Sequence, residues 1–383
     1  MNLIIHPDEL FLKGANQKFF YDQLVENLLD LFKGIKIKRV EGGLWVENFV
    51  KNELKRLAFI PGIANFSQAW KCKDDIDSIT KLFGLSLRDK IGNNKIKTFR
   101  ITANRNYKKY ALTSLQIAEK LGEHVRKEFN LKVDLKNHEL NIFVTINKEQ
   151  AIVYANPITG IGGLPTGTSG KVLCLVSGGI DSPVSAYKMM GRGAQVGIIH
   201  FLNKTGVSQA ISEKIIDLCK TLSQYQPQVQ LFVVGFKEMQ RQVVMKIPGD
   251  HRMLATRRLF FKISEKIAKE NRYQALATGD SLGQVASQTI ENMNVIYQAT
   301  DMLKFSPLIA LNKREIIKIA KDIGTLEISQ RPYEDCCSLF VAKHPQTKAK
   351  LDQVLKMEAE MDLSTLDNLD IKSYDISMNT ALA

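Results

Sequence analysis

The fold class this sequence predicts is two small α+β units followed by a doubly wound α/β unit with a parallel sheet, and three observations predict it. The length, 383 residues, exceeds what one hydrophobic core organises and fits two or three domains of about 150 residues. A charge-free stretch from Gly160 to Gly170 carries Gly160, Gly162, Gly163, Gly167 and Gly170 and divides the chain as a linker would. Beyond it, strand-length apolar runs alternate with helix-length amphipathic segments, which is the grammar of βαβ units; before it, strands and helices mix without that alternation.

In chain order, Gln17–Phe32 places Phe19, Phe20, Leu24, Leu28, Leu29, Leu31 and Phe32 near helical spacing. Residues Ile35–Val46 read as two strands about the turn Gly42-Gly43. A second unit starts near residues 60–75 and holds a strand over Thr98–Ala103, an amphipathic helix over Leu112–Phe129, and strands over Leu140–Ile146 and Ile152–Asn156. After the linker come strand Val172–Val176, helix Pro183–Gly191, strand Gln195–Phe201, helix Ser212–Tyr225, strand Gln230–Val234, helix His251–Asn271 and strand Ala275–Thr278. The boundaries that follow are 1–60, 61–160, a linker over 161–170, and 171–383.

Composition is that of an ordinary globular chain, with 44% hydrophobic and 24% charged residues, which excludes disordered and collagenous classes. The net charge of +13 favours a polyanionic partner, nucleic acid or an acidic surface. Residues 1–170 hold 26 basic against 18 acidic side chains, +8, and residues 171–383 hold 27 against 22, +5. The stretch after Leu351 is acidic and is expected to lie outside a polyanion footprint. Five cysteines, Cys72, Cys174, Cys219, Cys336 and Cys337, are too few and too scattered for a disulfide framework. No apolar run reaches the ~18–20 residues of a membrane span, and the start lacks a basic, then apolar, leader. A cytoplasmic protein without membrane association is expected. Adjacent Cys336 and Cys337 lack C-x-x-C spacing, so no structural metal is expected.

The strongest local signal is the apolar strand Val172–Val176 running into Ser177-Gly178-Gly179-Ile180-Asp181-Ser182-Pro183. Glycines without Cβ let backbone amides approach an anion, the helix that follows adds its N–H groups and dipole, and Ser177 and Ser182 add hydroxyl donors. Pro183 is tolerated in the first helical turn, where its missing N–H costs nothing. An acid, Asp181, amid phosphate-binding amides calls for a cation, and Mg²⁺ on ATP phosphates is the expected one. The motif resembles the PP-loop, SGGxDS, of enzymes that adenylate a substrate and release pyrophosphate; it is not a Walker A loop, for which G-x-x-x-x-G-K-[ST] is absent.

Residues 58–157, with Thr98–Arg105 and the helix bearing Ser114 and Arg126, resemble a THUMP RNA-binding domain. The opening Glu9-Leu10-Phe11-Leu12-Lys13-Gly14-Ala15-Asn16 resembles the E-x-x-L-K-G-x-N start of a ferredoxin-like domain. That order, followed by the glycine linker and the PP-loop, is similar to the tRNA 4-thiouridine synthetase (tRNA sulfurtransferase) family, ThiI, over essentially the whole chain. The resemblance implies a PP-loop doubly wound sheet preceded by ferredoxin-like and THUMP domains. It implies adenylation of uridine 8 of tRNA at its C4 oxygen and replacement by persulfide-derived sulfur.

By the same resemblance, ATP binds at Leu175 and Val176, at the loop Ser177, Gly178, Gly179, Asp181 and Ser182, and at His200-Phe201. Further contacts fall on Arg257, with Arg258 as its neighbour, and on Gly279 and Gln288 of the segment Thr278–Thr289, which looks like TGxxxGQVASQT. Gly279 would let the nucleotide approach the chain. Asp280 is placed for magnesium or for a helix N-terminus, capping being the role expected. Implied tRNA contacts are Lys13, Arg100, Arg105, Lys108, Lys109 and Arg126.

The segment Pro332–Phe340 matches the family's cysteine-bearing segment. Matching Glu-x-Cys selects Cys336; counting back from Pro345 selects Cys337. Cys174 is expected to be inert core, with Cys72 and Cys219 weaker candidates. Some relatives carry a C-terminal rhodanese domain; too few residues follow Cys337 for one, so a cysteine desulfurase or another persulfide donor is expected to deliver sulfur directly. A sulfur-carrier protein of thiamine synthesis, a secondary role in thiazole formation, and a homodimer are further implications. Two other readings are an amide-forming PP-loop ligase of a small acid, which would exchange ATP and pyrophosphate without RNA, and a non-catalytic tRNA-binding module.

Overall fold

The computed structural model describes residues 1–87, 96–203, 212–332 and 344–377. The chain divides into two compact units, Met1–Gly163 and Leu164–Ala383.

The first unit is built on one nine-stranded sheet: β1 (Leu3–Pro7), β2 (Lys36–Val40), β3 (Gly43–Glu47), β4 (Ile63–Cys72), β5 (Thr98–Arg105), β6 (Lys132–Val133), β7 (Leu140–Asn147), β8 (Gln150–Ala155) and β9 (Ile158–Gly162). Its order is β2-β3-β1-β4-β8-β7-β5-β6, with β9 also on β4. Sequence patterning missed β1, β4, β6 and β9. The ten residues of β4 lie across the position where a boundary between units was expected. One edge of β4 pairs with β1; the other pairs with β9 through Ile63–Phe66 and with β8 through Ala69–Cys72. The expected linker likewise begins inside β9, because Gly162 pairs with Ile63.

Helix α1 spans Gln17–Leu31, α2 Ile76–Ser86 and α3 Ser114–Phe129. The start of α3 is set by a reciprocal capping box between Thr113 and Gln116, and its end by Asn130 in the left-handed region at φ 51°. Apolar residues one turn apart on α3, Ile117, Leu121 and Val125, are buried with Phe83 of α2 against Phe99, Ile142, Val144 and Val153 of the sheet. That burial supplies the driving force for this half of the unit.

The second unit carries β10 (Lys171–Leu175), β11 (Gln195–Leu202), β12 (Val229–Gly235), β13 (Ala275–Ala277), β14 (Leu303–Phe305) and β15 (Ile371–Ile376) in the order β14-β13-β10-β11-β12-β15. Strands β10 to β14 are parallel, as the alternation predicts. β15 is antiparallel to β12, so the acidic C-terminal stretch supplies an edge strand to an otherwise parallel sheet. Helices α4 (Asp181–Gly191), α5 (Glu213–Leu222), α6 (Lys237–Lys246), α7 (Arg252–Glu270), α8 (Ile290–Tyr297), α9 (Lys313–Asp322) and α10 (Leu351–Glu358) complete it. Leu173, Ile199, Phe232 and Leu276 of the sheet are buried with Leu259, Phe261, Ile263 and Ile267 of α7. From β10 the chain moves through β11 to β12, then returns to the other side of β10 for β13. The strand order therefore reverses at β10, and open sheets of this kind bind ligands at that crevice, beyond the strand ends. No helix among the described residues is long and apolar enough to cross a membrane.

Candidate active site

A cleft of about 300 Å³ opens at the carboxyl ends of β10 and β13. Val176 continues β10 by donating its N–H to Ile199 at 2.9 Å, and the chain then turns through Ser177-Gly178-Gly179. Gly178 takes φ 90°, a conformation L side chains rarely adopt, which explains glycine there. Ser177 donates its N–H to the Ser182 hydroxyl at 3.3 Å, closing the loop onto the first turn of α4. Ile180, at the cap position of α4, makes no side-chain cap hydrogen bond, which suits the start of this helix to an anionic ligand.

Every expected nucleotide residue except Gly178 lines this one cleft: Leu175, Val176, Ser177, Gly179, Asp181, Ser182, His200, Phe201, Arg257, Gly279 and Gln288. His200 is 1% exposed, and its Nδ1 lies 2.7 Å from the Val176 carbonyl. A carbonyl only accepts, so Nδ1 carries the proton. Burial pushes the imidazole down to about 4, so the ring is neutral at physiological pH. Phe201 stacks on Phe260 with centroids 4.0 Å apart and rings inclined by 15°, giving the cleft an aromatic floor suited to a purine.

Gly279, which lines the cleft, also has a packing reason to lack a side chain. A Cβ there would sit 2.8 Å from the Ser182 nitrogen and 2.9 Å from the Asp181 carbonyl carbon. The glycine lets the chain just after β13 pass against the first turn of α4.

Asp280 is not a helix cap. Its carboxylate accepts from Arg257 Nη2 at 2.6 and 2.8 Å, Thr278 Oγ1 at 2.7 Å, Tyr297 Oη at 2.8 Å and Gln288 Nε2 at 3.0 Å. Burial alone would raise its pKa, but the Arg257 charge and the hydrogen bonds from Thr278, Arg257 and Tyr297 outweigh burial and hold it below the usual carboxylate value. Burial, then the Asp280 charge, push the Tyr297 phenol up to about 12. Asp280 thus fixes Arg257 as a cation at the cleft. Arg258, its neighbour, faces the other way. It is 2% exposed, paired with Glu358 at 2.7 Å, and bonded to the Val295 carbonyl, so it is neither solvated nor available to a nucleotide.

The Asp181 carboxylate is held by Lys313 Nζ at 2.6 Å and Gln284 Nε2 at 2.8 Å. Sequence patterning missed both partners. A signal for Lys313 exists, because Lys313-Arg314 places two cations in the first turn of α9, against the helix dipole, between the Asn312 and Glu315 of a capping box. Cations kept at that end suggest an anionic ligand. Among the described residues no three His, Cys, Asp or Glu side chains converge on a common point. The donor set therefore fits Mg²⁺ carried on phosphate oxygens and water with a single protein carboxylate, and does not form a protein cage.

The expected tRNA contacts all fall in the first unit. Lys108 and Lys109 are exposed in the turn after β5, and Arg126 is exposed in the last turn of α3. Arg126 edges a groove of about 490 Å³ lined by Ile101, Leu115, Val133 and Leu135. Arg100 is half-buried on β5, and Lys13 lies with Nζ 5.0 Å from the Phe20 ring centre. Arg105 donates to the carbonyls of Tyr110 (3.2 Å) and Leu112 (3.4 Å), so it also braces the chain ahead of α3. Cys336 and Cys337 lie outside the described residues. The remaining thiols are poor nucleophiles. Cys174 and Cys219 are buried, and burial pushes both thiols far up; burial, then Asp75 and Asp74, push Cys72 up to about 11.

A glycine turn and uncapped helix at the sheet's reversal point, with an arginine fixed across from it, define a nucleotide-binding enzyme of the PP-loop class. The family model described as thiamine biosynthesis protein (ThiI) matches residues 167–363, a THUMP domain model matches 73–156, and a ThiI ferredoxin-like domain model matches 2–67. The chain belongs to the ThiI family. A probable tRNA sulfurtransferase of Caldanaerobacter subterraneus subsp. tengcongensis is 42% identical over 98% of this chain and 99% of its own. One from Geobacillus kaustophilus is 35% identical over 95% and 92%. Among solved structures, a 4-thiouridine synthetase–RNA complex with bound ATP superimposes with a TM-score of 0.88 at 32% identity, covering 97% of this chain and 99% of that one. PH1313 from Pyrococcus horikoshii shares the fold, with a TM-score of 0.65 at 23% identity over 84% of this chain and 99% of its own.

Proposed function

We propose that this protein is an ATP-dependent tRNA sulfurtransferase that converts a uridine of tRNA, at position 8, to 4-thiouridine. The observation that carries the reading is the cleft at the reversal point, where a Gly-Gly loop, an uncapped helix start and Arg257 converge around an aromatic floor. Phe201 and Phe260 hold the adenine face, and the amides of Ser177–Ser182 hold the phosphates. Arg257, held in place by Asp280, and Lys313 bring positive charge to where negative charge builds up on departing pyrophosphate. Mg²⁺ on the phosphates would neutralise further charge, and Asp181 is the protein carboxylate that would hold it, in exchange for its present partner Lys313.

The uridine C4 oxygen attacks the α-phosphorus and pyrophosphate leaves, which makes that oxygen part of a good leaving group. Sulfur then attacks C4, and AMP departs with the former C4 oxygen. With a persulfide donor on Cys336 or Cys337, a second thiol opens the resulting disulfide, leaving sulfur on the base and itself becoming disulfide-bonded until an external thiol reduces it. The C4 edge of a stacked base is inaccessible, so the uridine must leave its stack.

The test is mass spectrometry of nucleosides from tRNA incubated with the full chain, ATP, Mg²⁺ and a sulfide source. Formation of 4-thiouridine is expected, and Asp181→Ala should abolish it with tRNA affinity changed less than threefold. Thiolation retained by Asp181→Ala would remove the loop from the chemistry.

A further inference from the structure

The first unit has an open sheet edge beside an apolar groove, and neither belongs to the nucleotide cleft. Strand β6 ends the order β8-β7-β5-β6 and pairs only with β5. Lys132 donates its N–H to the Lys97 carbonyl and Asp134 donates to the Phe99 carbonyl, both at 2.9 Å. Backbone groups alternate in direction along a strand, so Val133, between these two, turns its N–H and C=O away from β5 to the open edge. Its side chain shares the helix-covered face with that of Phe99, its register partner.

On that face the edge and α3 enclose the groove of about 490 Å³. Leu115, Val133 and Leu135 line it while 69%, 53% and 67% exposed. Three aliphatic side chains left in water around one groove are a surface that a second body would stabilise by covering. Gly122 of α3 lines it too. A glycine inside a helix weakens it relative to alanine, and among the described residues a Cβ at this position meets nothing within 4 Å, so packing within the chain does not call for glycine. The missing side chain leaves depth for one that comes from outside.

Charge decides what kind of segment fits. Lys132 points to the opposite face of the edge, and Arg100 shares that face because Thr98, two residues before it, is the register partner of Lys132. Of the acids around this edge, Asp134 is engaged by the N–H groups of Lys136 (2.9 Å) and Asn137 (2.8 Å), and Glu123 by Lys127 (2.6 Å). Glu119 stands on the groove's helix wall, which favours apolar over acidic side chains on that side.

We infer that this edge and groove form a docking site for an extended segment of a partner protein. The segment adds a strand beside β6, turns aliphatic side chains into the groove, and turns acidic ones at the alternate positions towards Lys132 and Arg100. The main chain of Val133 gives and takes one hydrogen bond with it. RNA phosphates would meet the same cations but would leave the aliphatic groove and the outward N–H and C=O of Val133 unused.

The probe is a phage-displayed library of random heptapeptides, panned on the full chain without tRNA, with the most enriched sequence synthesised and titrated by calorimetry. Enriched sequences should alternate aliphatic with acidic residues. Gly122→Leu, which fills the groove, and Val133→Pro, which removes the outward N–H and no bond to β5, should each weaken binding at least tenfold. Leucine is the better helix former, so Gly122→Leu should melt no lower than the wild type, and its loss of binding is then not a loss of fold. Leu115→Ser, at an exposed position, repeats the measurement if either variant fails to fold. Lys132→Glu should weaken binding at least threefold and shift the selected sequences from acidic to basic alternation. Absence of the alternating pattern, or affinity unchanged in the groove variants, would overturn the proposal. So would a tenfold loss of tRNA affinity in Gly122→Leu, which would give the groove to RNA, or a wild-type dimer that Gly122→Leu converts to monomer, which would give it to a second copy of the chain.

Discussion

His200 shows how one buried residue ties stability to pH. Folded, its imidazole is neutral and protonates only near pH 4; unfolded, it takes a proton near the ordinary histidine value of 6.5. Between those values the unfolded chain binds more protons, so this contribution is whole above pH 6.5 and is lost as pH falls towards 4. From pH 7 to pH 5 it should remove about 2 kcal/mol. Urea titrations at both pH values should show the loss in the wild type and its absence in His200→Gln. Asp280 has the opposite chemistry and the same sign. Its depressed pKa gives stability that is present above the ordinary carboxylate range and is lost in stronger acid. Asp280→Asn leaves the Arg257 guanidinium without its charge partner, and should cost about 3 kcal/mol and raise the KM for ATP at least tenfold. Denaturation together with ATP saturation kinetics measures both. The site residues were legible where an element end carries them, as with Ser177, Gly279 and His200. Lys313 and Tyr297 were not, because each meets a cleft carboxylate from outside the motifs, and Gln284, although inside the segment Thr278–Thr289, carries no mark of its partner Asp181; a single sequence does not show which side chains converge.

At the scale of elements, the close passage of Gly279 over the start of α4 is the least tolerant contact in the site. Gly279→Ala sets a methyl against main-chain atoms, which cannot rotate away. It should cost about 1–3 kcal/mol by overpacking, and weaken ATP binding by at least tenfold because the first turn of α4 is displaced. Melting temperature and ATP titration check the two effects separately. The same scale shows what patterning reads well. Strands β10 to β13 are largely apolar, are separated by helices, and emerged within a residue or two of their observed ends. The antiparallel β15 did not emerge, since Lys372, Ser373 and Asp375 give it the polarity of a loop, and an exposed edge strand needs only one apolar face. In the first unit, β4 carries Ser67 and Gln68 among its apolar residues and has no turn signal at either pairing partner, so its shared role depends on tertiary pairing alone.

For the molecule as a whole, the excess of positive charge should appear as salt dependence. If the lysines of the turn after β5 contact phosphates, tRNA affinity falls steeply with salt, and Lys108→Ala and Lys109→Ala each reduce the slope of log K against log salt by about 1, without changing the turnover of bound tRNA. Filter binding at several salt concentrations, alongside single-turnover thiolation, tests this; slopes equal to the wild type would remove these lysines from the footprint. The shared strand β4 has its own consequence at this scale. Ferredoxin-like and THUMP matches end and begin at residues 67 and 73, yet β4 runs from 63 to 72 and is hydrogen-bonded on both edges. A protease cut there would not release two modules: the halves should co-elute as a nicked complex and come apart only in denaturant. Inheritance and folding thus draw their boundaries in different places, and a chimera joined at residue 70 would exchange the RNA-binding half only by leaving two torn sheet edges prone to aggregate.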